Sequence, residues 1–274
     1  MANSFSSFSG FLRKVIRYPK HFLPCHSTRK VDFLICGTQK GGTSALDTYL
    51  REHPEVCMAD RKEVHFFDND SRFTGGEPNY FRYHAYFSPR SSHKILGEAT
   101  PVYMYWRDAP ARIHAYNPSM KLIVLLRNPI ERAYSHWNME RARRRDPLAF
   151  WEALQNEKER CARSLPHQNH FFSYMDRGFY TIQLQRLWQF FPKEQVLILK
   201  SEDLRQKPQD ILERVCDFLG VSSLPNPAPR SIHSIRYAAP MTEREREYLR
   251  KVFEQEIREL EQLLGWDCSN WLST

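Results

Sequence analysis

The sequence predicts a single α/β domain, a three-layer fold in which a central parallel sheet is flanked by helices. Three runs carry this expectation: "VDFLIC" (31–36), "KLIVLLR" (121–127) and "QVLILK" (195–200). Each is a nearly unbroken apolar run of strand length, as strands buried on both faces require. Helical patterns separate them, and that alternation is the mark of a parallel sheet. The 274 residues suffice for one full core, and neither an internal repeat nor a low-complexity linker divides them. Residues 1–30 read as an N-terminal arm and residues 31–274 as the domain.

The helices are justified one by one. After the first strand, "GTSALDTYLREHP" is helical and ends before Pro54. After the second, Asn128 is the N-cap and Pro129 the first helical residue of "PIERAYSHWNMERARRR". After the third, "PQDILERVCDFLG" starts at Pro208, lines up Ile211, Leu212, Val215, Phe218 and Leu219 on one face, and stops at Gly220. The last helix opens with a capping box, Thr242 with Glu245, and carries Leu249, Val252, Phe253, Ile257, Leu260 and Leu264 as its apolar stripe.

Forty Lys and Arg against 32 Asp and Glu give a net charge of +8, which favours an anionic partner. The six cysteines are scattered, with no metal-ligand spacing, so they read as reduced thiols and a metal site is not expected. No run approaches the roughly 20 apolar residues of a membrane helix, and the N-terminus lacks a signal core; a cytoplasmic protein is expected. The arm mixes aromatic and basic residues. It reads either as a membrane-surface segment or as a stretch draped over the domain. "RARRRD" (141–146) is either a polyanion patch or a soluble helix end.

The chemistry begins at "FLICGTQKGGTSAL" (33–46), a strand, a glycine-rich turn and a helix start. Free backbone N–H groups and the helix dipole converge there on an anion. Gly37, Gly41 and Gly42 permit left-handed backbone or close approach, and Lys40 brings a cation. The loop is P-loop-like but departs from the triphosphatase pattern GxxxxGK[ST], because Lys40 precedes the glycine pair. The second strand also ends at Arg127, where a triphosphatase places a metal-binding carboxylate. Arg127 and Ser135, about two helical turns apart along the next segment, suit a terminal phosphate monoester.

"GTQKGGTSAL" together with "LIVLLRNPIERAYSHW" resembles the two cofactor motifs of sulfotransferases that use 3′-phosphoadenosine 5′-phosphosulfate (PAPS). The nearer likeness is to the heparan sulfate N- and 3-O-sulfotransferase branch and its bacterial relatives. "KEVHFFD" (62–68), "LGEATPVYMYW" (96–106) and the stretch 177–221 agree, so the resemblance spans roughly residues 31–271. It implies that Lys40, Gly41, Gly42, Thr43 and Ser44 bind the 5′-phosphosulfate, and that Arg127 and Ser135 bind the 3′-phosphate. Arg236, in "SIRY" (234–237), matches one residue of a further 3′-phosphate loop.

The resemblance also implies in-line sulfuryl transfer that leaves adenosine 3′,5′-bisphosphate (PAP), with Glu63 as the base, Lys40 relieving charge on the leaving group, and no metal. Beside His65 and two phenylalanines, Glu63 is expected in a partly desolvated, basic setting; its other reading is a loop glutamate paired with Lys62 or Arg61. His65 either assists or packs. Ala99 stands where many relatives carry a lysine, and Gln183 where N-sulfotransferases carry a histidine, so neither extra catalyst is implied. The expected acceptor is a small metabolite or glycan precursor, contacted by residues 69–94 and 141–178, rather than nucleic acid. The competing readings are a P-loop kinase-like phosphotransferase and a non-enzymatic polyanion binder. The oligomeric state is left open.

Overall fold

The structure, a computed structural model, describes residues 29–224, 237 and 239–273. Arg236 and nearly all of the N-terminal arm lie outside the described residues. Five strands form one parallel sheet: β1 (Phe33–Gly37), β2 (Val56–Met58), β3 (Ile95–Ala99), β4 (Lys121–Leu126) and β5 (Val196–Lys200), in the order β2-β3-β1-β4-β5. The three expected strands are β1, β4 and β5. The strands β2 and β3 were not foreseen, because β2 is three residues long and Gly97 and Glu98 interrupt the apolar run of β3.

Alternation along the strands divides the core in two. Leu34 and Cys36 of β1, with Leu122, Val124 and Leu126 of β4, enter the larger apolar cluster. Phe33, Ile35, Ile123 and Leu125 enter the other, on the opposite face. Burial on both faces explains the lack of polar alternation in these strands.

Helices cover both faces: α1 (Thr43–Arg51), α2 (Tyr80–His84), α3 (Ala109–Tyr116), α4 (Pro129–Ala142), α5 (Phe150–Ala162), α6 (Tyr180–Trp188), α7 (Ser201–Gln206), α8 (Pro208–Leu219), α9 (Glu243–Leu264) and α10 (Ser269–Leu272). Their caps follow the sequence reading. The Asn128 side chain accepts from the Ile130 amide at 2.9 Å, Gly220 is left-handed at φ 75°, and Thr242 and Glu245 close the capping box of α9. No helix among the described residues is long and apolar enough to cross a membrane.

The order of the strands fixes where a ligand can sit. β1 lies between β3 and β4, so the connections leaving its carboxyl end and those of its neighbours diverge to either side. A crevice opens at such a switch point. The segments that follow β1 and β4, and the loop tied to the end of β3, carry the candidate residues.

Candidate active site

The turn after β1 is built for close approach. A Cβ on Gly41 would lie 2.5 Å from the Leu125 carbonyl oxygen and 3.0 Å from that of Thr38, so the loop lies directly on β4. Lys40 (φ 71°) and Gly42 (φ 93°) are both left-handed. The Gly42 carbonyl accepts from the Ala45 amide at 3.0 Å, whereas the amides of Gly42, Thr43 and Ser44 find no acceptor among the described residues. Three donors at the start of α1 are therefore available to an anion.

Cations surround this opening. Arg127, directly after β4, donates from Nη1 to the Lys40 carbonyl at 3.3 Å, and its own carbonyl accepts from the Tyr180 hydroxyl at 2.8 Å. Burial lowers the Lys40 pKa, and the nearby Arg127, Arg143 and Lys62 lower it further against the pull of Glu63. A half-buried ammonium among cations calls for an anionic partner. Ser135 lies on α4, 3 % exposed, and its hydroxyl makes no hydrogen bond among the described residues. These features fit an anionic, phosphorylated ligand.

The second half of the site is the loop 59–68. Its backbone is pinned to the end of β3, because the Glu63 amide donates to the Ala99 carbonyl at 2.9 Å. Glu63 (φ 60°) and His65 (φ 55°) are both left-handed, a strained arrangement for residues with a Cβ. Lys62 Nζ lies 2.9 Å from Glu63 Oε1, His65 Nε2 lies 3.6 Å from Glu63 Oε2, and His65 Nδ1 lies 2.7 Å from Asp68 Oδ2.

The electrostatics correct one expectation. Burial alone raises the Glu63 pKa, but the His65 hydrogen bond and Lys62 outweigh it and hold the carboxyl at about 2. The hydrogen bonds to Asp68 and Glu63 raise His65 to about 9, against a smaller opposing effect of burial. Glu63 is thus partly desolvated, as expected, but paired with Lys62 and His65, so it is an ionised carboxylate and not the basic one expected beside His65 and two phenylalanines. Phe66 and Phe67 point instead into the core.

Sequence reasoning missed the residues that join the two halves. Arg177, 2 % exposed, donates from Nη1 to Gln39 Oε1 at 2.8 Å, from Nε to Ser173 Oγ at 2.8 Å, and from Nη2 to the carbonyls of Asn169 and His170. Gln39 is the neighbour of Lys40, so a partner 138 positions away steadies the loop. No local pattern announces such a contact. Asp68 could have been found, since it closes the quoted "KEVHFFD" three residues after His65.

The other expectations divide. Residues 141–145 are all exposed at the end of α4, so the 141–146 cluster is an exposed helix end, in which Arg143 and Arg145 pair with the buried Glu140 at 3.6 and 3.3 Å and Arg141 lies over the Trp137 ring. Gln183 is buried and donates to the carbonyls of Arg177 and Phe179. A cavity of about 820 Å³ lies beside it, lined by residues of α5, α6 and α9 and by the 165–169 segment, with Tyr105 and Asp176. The span 141–178 contributes to that lining and the 69–94 segment does not.

The sulfotransferase-domain family matches residues 30–262, most of the chain. The chain belongs to the sulfotransferase family. A crystal structure of a sulfotransferase from Alicyclobacillus acidocaldarius superposes with a TM-score of 0.77 at 30% identity, covering 89% of this chain and 100% of that one. Human heparan sulfate glucosamine 3-O-sulfotransferase 3B1 is 36% identical over 192 residues, 70% of this chain and 46% of the relative. The membrane-associated sulfotransferase kil1 of Dictyostelium discoideum is 24% identical over 313 residues, 86% of this chain and 65% of the relative. This sulfotransferase-family chain spans about half to two thirds of the length of these two curated relatives.

Proposed function

We propose that the protein transfers a sulfuryl group from PAPS to a hydroxyl or amine of a small-molecule or glycan acceptor and leaves PAP. The observation that carries this reading is the convergence, at the carboxyl ends of β1, β3 and β4, of the Lys40 loop, the tethered Glu63 and Arg127. Family membership supports the same reaction class.

PAPS, when bound, supplies an activated sulfuryl group on a good leaving phosphate. The amides of residues 42–44 and the Lys40 ammonium neutralise charge that builds on that phosphate, a stabilisation that strengthens as the bond breaks. Arg127 and Ser135 hold the 3′-phosphate, the group that sets PAPS apart from other adenine nucleotides, and Arg236 is the further candidate for it. Arg177 keeps the loop in register through Gln39.

Glu63 takes the acceptor's proton. Any carboxylate is too weak a base to ionise a free hydroxyl, but the acceptor oxygen becomes strongly acidic once its bond to sulfur is largely formed, so the proton leaves with or after that bond. His65, raised to about 9, keeps Glu63 ionised and aimed. The assignment of a cytoplasmic setting stays part of this proposal.

The test is a screen of hydroxyl- and amine-bearing acceptors with PAPS, read by mass spectrometry for an added sulfuryl group. A sulfated product that vanishes in Lys40→Ala supports the reading. Phosphorylated products formed from ATP and Mg²⁺ in the same screen would replace it with a kinase.

A further inference from the structure

The base loop holds two strained residues, and the structure shows what holds them. Left-handed Glu63 and His65 flank Val64, each at a cost of roughly 1–3 kcal/mol for a residue with a Cβ. Strain of this kind persists only where the surroundings over-determine the backbone. On one side the tie is the Glu63 amide on the Ala99 carbonyl. On the other it is the Phe66 amide, which donates to the Tyr103 hydroxyl at 2.9 Å.

Tyr103 is in turn oriented by Glu98. That carboxylate is wholly buried at the end of β3 and accepts from three hydroxyls: Tyr103 at 2.8 Å, Tyr83 at 2.5 Å, and Thr100. With its proton given to Glu98, the Tyr103 oxygen can only accept from Phe66. The same strand therefore supplies both ties, Ala99 through its carbonyl and Glu98 through Tyr103.

A buried carboxylate is a costly way to stabilise a core, and burial raises its pKa despite the hydrogen bonds from Thr100, Tyr83 and Tyr103. A hydrophobic core residue would serve packing alone. The geometry of the hydroxyl network serves direction.

We infer that Glu98 is a positioning residue for the reaction: through Tyr103 it fixes the left-handed turn that aims Glu63 and His65 at the acceptor. The inference rests on the reading of Glu63 as the base. Glu98 itself touches neither donor nor acceptor. Its Oε1 accepts from both Tyr103 and Thr100 and its Oε2 from Tyr83 alone, so a glutamine would set its NH2 against Tyr83 and leave Tyr103 oriented, whereas leucine removes the acceptors of all three hydroxyls.

The experiment compares wild type, Glu98→Leu and Tyr103→Phe, with Ile257→Val in α9 as a remote core control. Three quantities are read: PAP affinity by calorimetry, the slow hydrolysis of PAPS in which water replaces the acceptor, and the NMR titration of the His65 ring. In wild type the ring titrates at about 9. In Glu98→Leu and Tyr103→Phe it falls by about a unit or more, and hydrolysis slows about 10- to 100-fold. PAP affinity stays within about threefold, since the donor loop keeps its own supports. Ile257→Val lowers the melting temperature and leaves the His65 titration unchanged. If Glu98→Leu and Tyr103→Phe lower only the melting temperature, with His65 titration and hydrolysis as in wild type, Glu98 is a structural residue and the inference is wrong. Failure of wild type to bind PAP would instead overturn the function, while the His65 titration still decides the role of Glu98.

Discussion

Gly41→Ala is the sharpest perturbation of the donor loop. The added Cβ would meet the Leu125 carbonyl oxygen at 2.5 Å, where ordinary contact begins at 3.4 Å. Leu125 is a wholly buried residue of β4 that pairs with Leu199 of β5 and accepts from the Thr38 amide at 3.0 Å, so its backbone has no room to recede. The loop must therefore lift by about 0.9 Å, the difference between those two distances. Lys40 and the amides of residues 42–44 move with it. A displacement of about 1 Å at a reacting group costs on the order of 100-fold in rate. The expected result is a PAPS turnover reduced about 100-fold, with secondary structure by circular dichroism intact. PAP binding by calorimetry should weaken in parallel. If Gly41→Ala binds PAP and turns over within about threefold of wild type, the loop does not cradle the phosphosulfate and the reasoning fails.

Three further outcomes are expected. Lys40→Ala and Arg127→Ala each weaken PAP binding by about 1.5–3 kcal/mol, the usual worth of a hydrogen bond to a charged group, measured by calorimetry. Glu63→Gln leaves PAP affinity unchanged and slows transfer by about 10²- to 10⁴-fold in single-turnover assays; near-normal transfer would place the base elsewhere. His65→Asn removes the main support of the ionised Glu63, so an acid limb appears in the pH–rate profile as the carboxyl returns from about 2 toward its ordinary 4.5. Stability gives a second reading of His65. Its raised pKa contributes fully below 6.5 and is lost between 6.5 and about 9 as the ring deprotonates. The ring is 43% exposed, so screening reduces that contribution to about 1 kcal/mol. The urea midpoints of wild type and His65→Asn should differ at pH 6 and converge near pH 10.

The sheet was legible where burial on both faces wrote itself into the sequence. Runs such as "KLIVLLR" can only be central strands, whereas β3, with Glu98 facing three hydroxyls, reads as polar until its partners are known. The caps at Asn128, Gly220 and Thr242 were legible because their geometry depends on neighbours in the chain. The donor loop was legible for the same reason: its glycines, lysine and helix start are contiguous.

The base loop was half legible. Residue types in "KEVHFFD" pointed to proton transfer, but the Glu63 pKa depends on which side chains its strained backbone brings together. Arg177 and the Glu98–Tyr103 pair were illegible, since each acts between segments distant in the chain. The 141–146 arginines are exposed at the end of α4, with two of them paired to the buried Glu140.

The central claim is that Arg127 and Ser135 read a 3′-phosphate while the Lys40 loop reads the 5′ end. Calorimetric titration of the protein with PAP and with AMP tests it directly, because the two ligands differ only in the 3′-phosphate. PAP should bind at least about tenfold more tightly, and Arg127→Ala should erase the difference, since one lost charge-assisted contact is worth about 1.5–3 kcal/mol. Equal affinity for PAP and AMP in wild type would contradict the assignment of the site.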